Sequence, residues 1–172
     1  MTLTELNQLD KEMAANHFRQ CCVSEAWIAG MLDAMPFDSS QALYTAADRV
    51  WLGLAPSDFK QAFEGHPKIG DVSSLRAKYA NTKALAEGEQ SSVKQADEDT
   101  LHALAAGNTA YEQRFGYIFI VCATGKSAQE MLSLLKSRLN NDPEFEINIA
   151  AAEQQKITRL RLEKLLQPNE AA

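Results

Sequence analysis

Cysteine is scarce in this chain and follows no pattern. There are three, Cys21 beside Cys22 and a distant Cys122. An odd number without ligand spacing argues against a disulfide framework and against a zinc site. They read as buried thiols of a reducing compartment, and Cys122 lies in an apolar run, a poor setting for a nucleophile. Histidine is equally rare. His17 and His102 sit in helical segments with no metal-ligating partner at helical spacing, so no metal is expected. Basic residues are outnumbered, 17 against 23 acidic ones, for a formal charge of −6. No basic block or stripe stands out, and nucleic acid is not an expected partner. The longest uncharged apolar run, around Ile118 to Ala123, falls far short of the ~20 residues of a membrane span. The start, Met1-Thr-Leu-Thr-Glu-Leu, has neither the basic nor the apolar region of a secretory signal, so a cytoplasmic location is expected. Repeats, low-complexity tracts and linkers are missing too.

What is present is helical. With 45% hydrophobic residues over 172 positions, one globular domain with a substantial core is expected. Thr2 or Thr4 caps a short first helix. Asn7 or Asp10 caps a longer one, in which Met13, Phe18, Cys21, Cys22, Ala26, Ile28 and Met31 recur at three- and four-residue steps until Ala34. Its end is set by Pro36, which drives Met35 out of the α region. Asp38 or Ser39 caps the next helix, striped by Leu43, Ala46, Ala47, Val50, Trp51 and Leu54. Pro56 restarts a short helix carrying Phe59 and Phe63. Val72–Tyr79 is weakly patterned, and Leu101, Leu104 and Ala105 continue as helix through a mild irregularity at Gly107-Asn108. Tyr117 to Val121 has strand propensity, but no partner strand exists elsewhere, and a lone strand leaves its backbone groups unpaired. The segment is therefore expected to be helical, up to a break at Thr124-Gly125-Lys126. Ser127 caps the next helix with Glu130 at capping-box distance, and a last long helix runs from near Phe145 to Leu165. The fold class is all-α: a single compact multi-helix domain over residues 1–172 of about seven to nine helices, with a polar tail from about 167.

The helical rhythm stops at Glu64-Gly65-His66-Pro67-Lys68-Ile69-Gly70-Asp71. Pro67 fixes its own φ, lacks an N–H and holds His66 away from the α region. Histidine titrates nearest neutral pH. A stiff loop presenting one imidazole suits proton transfer, and it equally suits an ordinary helix corner. Two other motifs fail. Gly125-Lys126-Ser127 resembles the end of a phosphate-binding loop, but the glycine needed five residues earlier is Ile120. No Gly-x-Ser-x-Gly elbow supports a nucleophilic serine.

Several blocks then coincide in order: His66-Pro67-x-Ile69-Gly70; Glu87-Gly88-Glu89-Gln90; Tyr111-x-x-x-Phe115-Gly116-Tyr117-x-Phe119 through Ser127; Glu130-Met131-Leu132-x-x-Leu135-x-x-Arg138-Leu139-x-Asn141-Asp142; and Glu153-Gln154-x-Lys156-Ile157-x-x-Leu160-Arg161-Leu162. Together they resemble the 2-oxo-4-hydroxy-4-carboxy-5-ureidoimidazoline (OHCU) decarboxylases of purine degradation, over about Leu6 to Leu166. The resemblance implies a compact all-α fold, a homodimer, no cofactor, and conversion of OHCU to (S)-allantoin in urate breakdown. It places the family's catalytic histidine on His66 and its proline on Pro67. Its glutamate–glutamine pair falls on Glu89 and Gln90, and a backbone-lined wall on Phe119, Ile120, Val121, Cys122 and Ala123. A serine frequent in the family is here Ala86. The chain also lacks the peroxisomal tripeptide of eukaryotic members.

On this reading His66 is the acid that protonates the carbon after CO2 leaves. Glu89 charges or orients the imidazole or meets the substrate hydroxyl, and Gln90 offers a donor and an acceptor to a ureido edge. Glu89 alone reads equally as a solvated helix charge. An anionic substrate on an acidic protein calls for a local cation. Arg161 is the candidate, ahead of Lys68 and Arg114, although a surface ion pair explains Arg161 as well. Two other functions fit parts of the pattern: a helical binding module with a structural corner at His66-Pro67, and a decarboxylase of a related small carboxylated heterocycle.

Overall fold

A computed structural model describes residues 1–67, 71–79 and 91–167, without the side chains of Lys78 and residues 91–97. Among the described residues there are nine helices and no strand, so the chain is all-α. None of these helices is long and apolar enough to cross a membrane. They gather into two compact units, one of Met1–His66 with the chain from Ile149 onward, the other of Pro67–Asn148.

In the first unit, short polar side chains start the helices. Thr2 accepts from the Glu5 N–H at 3.1 Å to begin α1 (Leu3–Gln8), and Asp10 accepts from the Met13 N–H at 2.8 Å to begin α2 (Lys11–Cys21). Asn7 is not a cap. Its amide donates to the Phe37 carbonyl and accepts from the Phe37 N–H, both at 2.9 Å, and so pins a loop. The single helix expected from Asp10 to Ala34 is in fact two. Cys22 is extended at φ −161, and Ser24, fully buried, accepts from the Trp27 N–H to start α3 (Glu25–Ala34). A serine that caps offers the backbone a partner outside the helix, and here that local bond overrides a continuous apolar stripe. Ser39 caps α4 (Ser40–Leu52), and Pro56 opens α5 (Pro56–Glu64).

α3 packs against α2, α4 and α5. Phe18 meets the edges of Trp27 and Phe37, with centroids 5.9 and 6.4 Å apart. Each such fully buried side chain contributes roughly 1.5–3 kcal/mol. The two indole N–H groups are not left unpaired: Trp27 donates to the Ala47 carbonyl at 3.2 Å and Trp51 to the Ala151 carbonyl at 3.0 Å.

The second unit holds α6 (Val72–Tyr79), α7 (Ser91–Phe115), α8 (Ala128–Leu139) and the start of α9 (Pro143–Leu165). α7 packs along α8. Ser127 and Glu130 form the expected capping box, at 3.1 and 3.3 Å. The helix expected over Tyr117–Val121 is absent. α7 stops at Phe115 because Gly116 turns left-handed, φ +84, and residues 117–123 run on as neither helix nor ladder strand. A side chain at that φ is strained.

The buried stripe of α9 is Glu146, Ala150, Gln154, Thr158 and Leu162, one turn apart, and three of the five are polar. By contrast Leu160 is 41% exposed. A helix that buries polar groups must give them partners. Those partners form the two networks described next.

Candidate active site

His66 closes the first unit. Its backbone N–H donates to the Phe63 carbonyl at 3.2 Å, just past the last turn of α5, and Gly65 donates to Ala62 at 3.1 Å. Gly65 is not there for a left-handed turn, since its φ is −76. It is there for close approach: a Cβ at this position would lie 2.3 Å from Val23 Cγ2. Gly65→Ala is therefore expected to lower stability by roughly 1–3 kcal/mol through overpacking. Val23→Ala in the same chain should restore most of the loss, as urea unfolding would read.

The His66 imidazole is half-buried. Its Nε2 lies 2.5 Å from Gln154 Oε1 on α9, and the Gln154 amide donates to Thr158 Oγ1 at 3.0 Å. Thr158 also acts on the Cys22 thiol, lowering its pKa. Arg161, one turn further along α9, donates to the Cys21 carbonyl at 3.3 Å, at the electronegative end of α2. Among the described residues it has no carboxylate partner, so the surface ion pair weighed for it is not seen there. Burial pushes the His66 pKa below 6.5; the bond to Gln154 opposes this and the Arg161 charge adds to it. Cys21 is pushed up to about 12 and Cys22 to about 11, both chiefly by burial, which leaves inert thiols.

This has a consequence for stability. The unfolded chain takes up a proton near 6.5, and the folded His66 only at lower pH. Stability contributed by the neutral imidazole is complete above 6.5 and is lost as pH falls toward the folded value. Subtracting the stability of His66→Ala from that of the wild type at each pH should expose this acid-side loss.

The second unit holds a buried ionic network. Arg138 reaches Glu146 Oε2 through Nε at 2.8 Å and Nη2 at 2.6 Å, and Tyr111 donates its hydroxyl to the same oxygen. Asn141 donates to Glu146 Oε1 at 3.0 Å. Burial and the Glu146 bond hold the Tyr111 hydroxyl well above its usual range. The remaining arm of Arg138, Nη1, donates to the Ile120 carbonyl at 2.7 Å, and its guanidinium lies over the Phe119 ring, 4.5 Å from the centroid. Lys126 donates to the Cys122 carbonyl at 2.7 Å. Two carbonyls of residues 119–123 are thus fixed by cationic side chains, with Ile120 and Cys122 buried and Phe119, Val121 and Ala123 half-buried.

A family model described as OHCU decarboxylase matches residues 7–163. The chain belongs to the OHCU decarboxylase family. It is 36% identical over 155 residues to the uric acid degradation bifunctional protein TTL of Arabidopsis thaliana, a match covering 90% of this chain and 48% of that protein. It is 40% identical over 60 residues to a 2-oxo-4-hydroxy-4-carboxy-5-ureidoimidazoline decarboxylase of Amia calva, 35% of this chain and 34% of that one. The chain spans about half the length of the Arabidopsis protein, and the Amia calva match covers about a third of each chain. Among solved structures, an OHCU decarboxylase crystallised in the presence of (S)-allantoin aligns with a TM-score of 0.70 and 34% identity, covering 92% of this chain and 99% of that one.

Of the residues the sequence singled out, His66 and Arg161 come together within the first unit. Pro67 is the first residue of the second unit, and Phe119–Ala123 belong to it as well. Glu89, Gln90, Lys68 and Ala86 lie outside the described residues. Arg114 is engaged elsewhere, donating to the Asn141 carbonyl at 2.8 Å. Sequence reasoning assigned no role to Gln154, Thr158, Arg138 or Glu146. The signal available was the four-residue spacing of Glu146, Ala150, Gln154, Thr158 and Leu162, which is a buried helix face read by position instead of by hydropathy.

Proposed function

We propose that this chain decarboxylates OHCU to (S)-allantoin in urate degradation, with His66 as the proton donor. The observation that carries the reading is the match over residues 7–163, together with a half-buried imidazole held by Gln154 beside Arg161. The substrate's C–CO2⁻ bond breaks and CO2 departs. The bonding pair stays on carbon, delocalised into the adjoining carbonyl or imine system, and then takes a proton from one face. The ring itself accepts the electron pair, so the step balances with no resident cofactor. Protonated His66 supplies the hydrogen and reverts to neutral imidazole, which solvent recharges.

The remaining assignments follow the same reading. Arg161 attracts the substrate carboxylate, and Glu89 and Gln90 meet the substrate's polar edge. Pro67 stiffens the His66 loop, and residues Phe119, Ile120, Val121, Cys122 and Ala123 supply a backbone-lined wall. We extend the proposal to a single domain over 1–172, a homodimer and a cytoplasmic location. The test is to add the protein to OHCU freshly made from urate and follow circular dichroism. Optically active (S)-allantoin should form well ahead of the spontaneous reaction; an unchanged rate overturns the activity, and a different optically active product redirects it to a related heterocycle.

A further inference from the structure

Gln154 is fully buried on the inner face of α9, among the largest completely enclosed side chains of the protein. Its amide nitrogen faces Thr158 and its amide oxygen faces His66. Thr158 Oγ1 takes the Nε2 side at 3.0 Å, which leaves Oε1 toward His66. An amide oxygen only accepts. With the amide in this orientation, the His66 nitrogen facing it carries the hydrogen. The Thr158 hydroxyl also acts on the buried Cys22 thiol, lowering its pKa against the larger effect of burial. Thr158, Gln154 and His66 thus form a hydrogen-bonded chain across the inner face of α9.

We infer that Gln154 is a positioning residue that keeps a hydrogen on His66 Nε2 throughout, so that Nδ1 is the nitrogen that exchanges the proton with substrate. The catalytic half of this statement rests on the function proposed above; the tautomer does not. In the neutral imidazole Nε2 bears hydrogen and Nδ1 a lone pair. On protonation Nδ1 gains the second hydrogen. During turnover the Nδ1–H bond breaks, its hydrogen goes to the carbon that lost CO2, and the bonding pair remains on Nδ1. Nothing is oxidised or reduced. A histidine free to switch tautomers presents the wrong nitrogen part of the time, and the amide removes that state.

The charged group acting on His66 from α9 is Arg161, which favours the neutral ring. Cys21 and Cys22 at the end of α2 share Arg161 with it and stay protonated thiols at neutral pH. Replacing the amide by a carboxylate adds a charge that favours the imidazolium.

Long-range ¹⁵N–¹H spectra of the histidines test the inference without substrate. The chain has three histidines, so His66→Ala identifies the His66 signals by difference. The wild type should show hydrogen on Nε2 and a bare Nδ1 above the titration. In Gln154→Glu the His66 titration, and with it the pH dependence of kcat/KM, should move up by about one pH unit or more. In Gln154→Leu it should move down and the tautomers should mix. A role in packing alone fixes no tautomer in the wild type and leaves none to mix in Gln154→Leu. An Nδ1–H tautomer in the wild type overturns the inference even if a variant fails to fold, and so does an unmoved titration in Gln154→Glu. A correct tautomer alongside a fully active His66→Ala overturns instead the proton-donor reading.

Discussion

His66→Ala is expected to fold as the wild type does and to lose about 10²- to 10⁴-fold in kcat/KM for OHCU, the range that a positioned general acid supplies. Folding should survive because the imidazole is half-buried at the end of a helix, and removing it leaves no cavity in the Trp27–Phe18 core. The cost falls on Gln154, whose Oε1 loses its partner in a buried site. That penalty is on the order of 1–3 kcal/mol and appears in the melting temperature. His66→Ala combined with Gln154→Leu should recover part of this stability and none of the rate. A binding module with a structural corner shares the stability loss but predicts no turnover in the wild type to lose.

Glu146→Ala is expected to be among the most destabilising single changes in the protein, by roughly 3–5 kcal/mol in urea unfolding. Both partners are buried, with side chains 7% and 0% exposed. Removing the carboxylate leaves the Arg138 guanidinium enclosed with hydrogen bonds, among the described residues, only to the Ile120 carbonyl and the Tyr111 hydroxyl, and strands Tyr111 and Asn141 as well. The penalty belongs to the orphaned charge, and not to the worth of the pair. The combination of Arg138→Met, Glu146→Leu and Tyr111→Phe replaces the whole group by apolar side chains and should recover much of the stability. It should not recover activity if residues 119–123 wall the site, because the Ile120 carbonyl then has nothing to hold it.

That segment also marks where the sequence was hardest to read. The expectation of helix over Tyr117–Val121 rests on a shared apolar face from Tyr111 to Cys122 and on the premise that only a helix or a ladder satisfies backbone groups. The premise omitted long side chains. Arg138 and Lys126 take up the Ile120 and Cys122 carbonyls, from positions 18 and 4 residues away. Pattern analysis sees spacing along one element and does not see a guanidinium arriving from another. The division at Cys22–Ser24 was hidden for a similar reason: the apolar spacing ran across it, and only the buried Ser24 oxygen marks the restart. The capping signals, in contrast, are local by nature. Thr2, Asp10, Ser39 and Ser127 are all expected caps, three of them as one of two candidates, and each accepts the backbone bond that starts its helix. His66 was legible because Pro67 and the end of α5 are neighbours in sequence. Gln154 was not, because its partner lies 88 positions away, and a glutamine in a long helix reads as solvated.

The central claim is that protonated His66 supplies the hydrogen. It is tested most directly by wild-type kcat/KM for OHCU as a function of pH, which reports the free enzyme's essential group. Burial holds that group below 6.5. A donor must be protonated, so the account predicts a plateau on the acid side and a tenfold fall per pH unit above a pKa lower than 6.5, a limb that His66→Ala lacks. A rate that instead climbs with pH through the same pKa would assign His66 as a base and contradict the account.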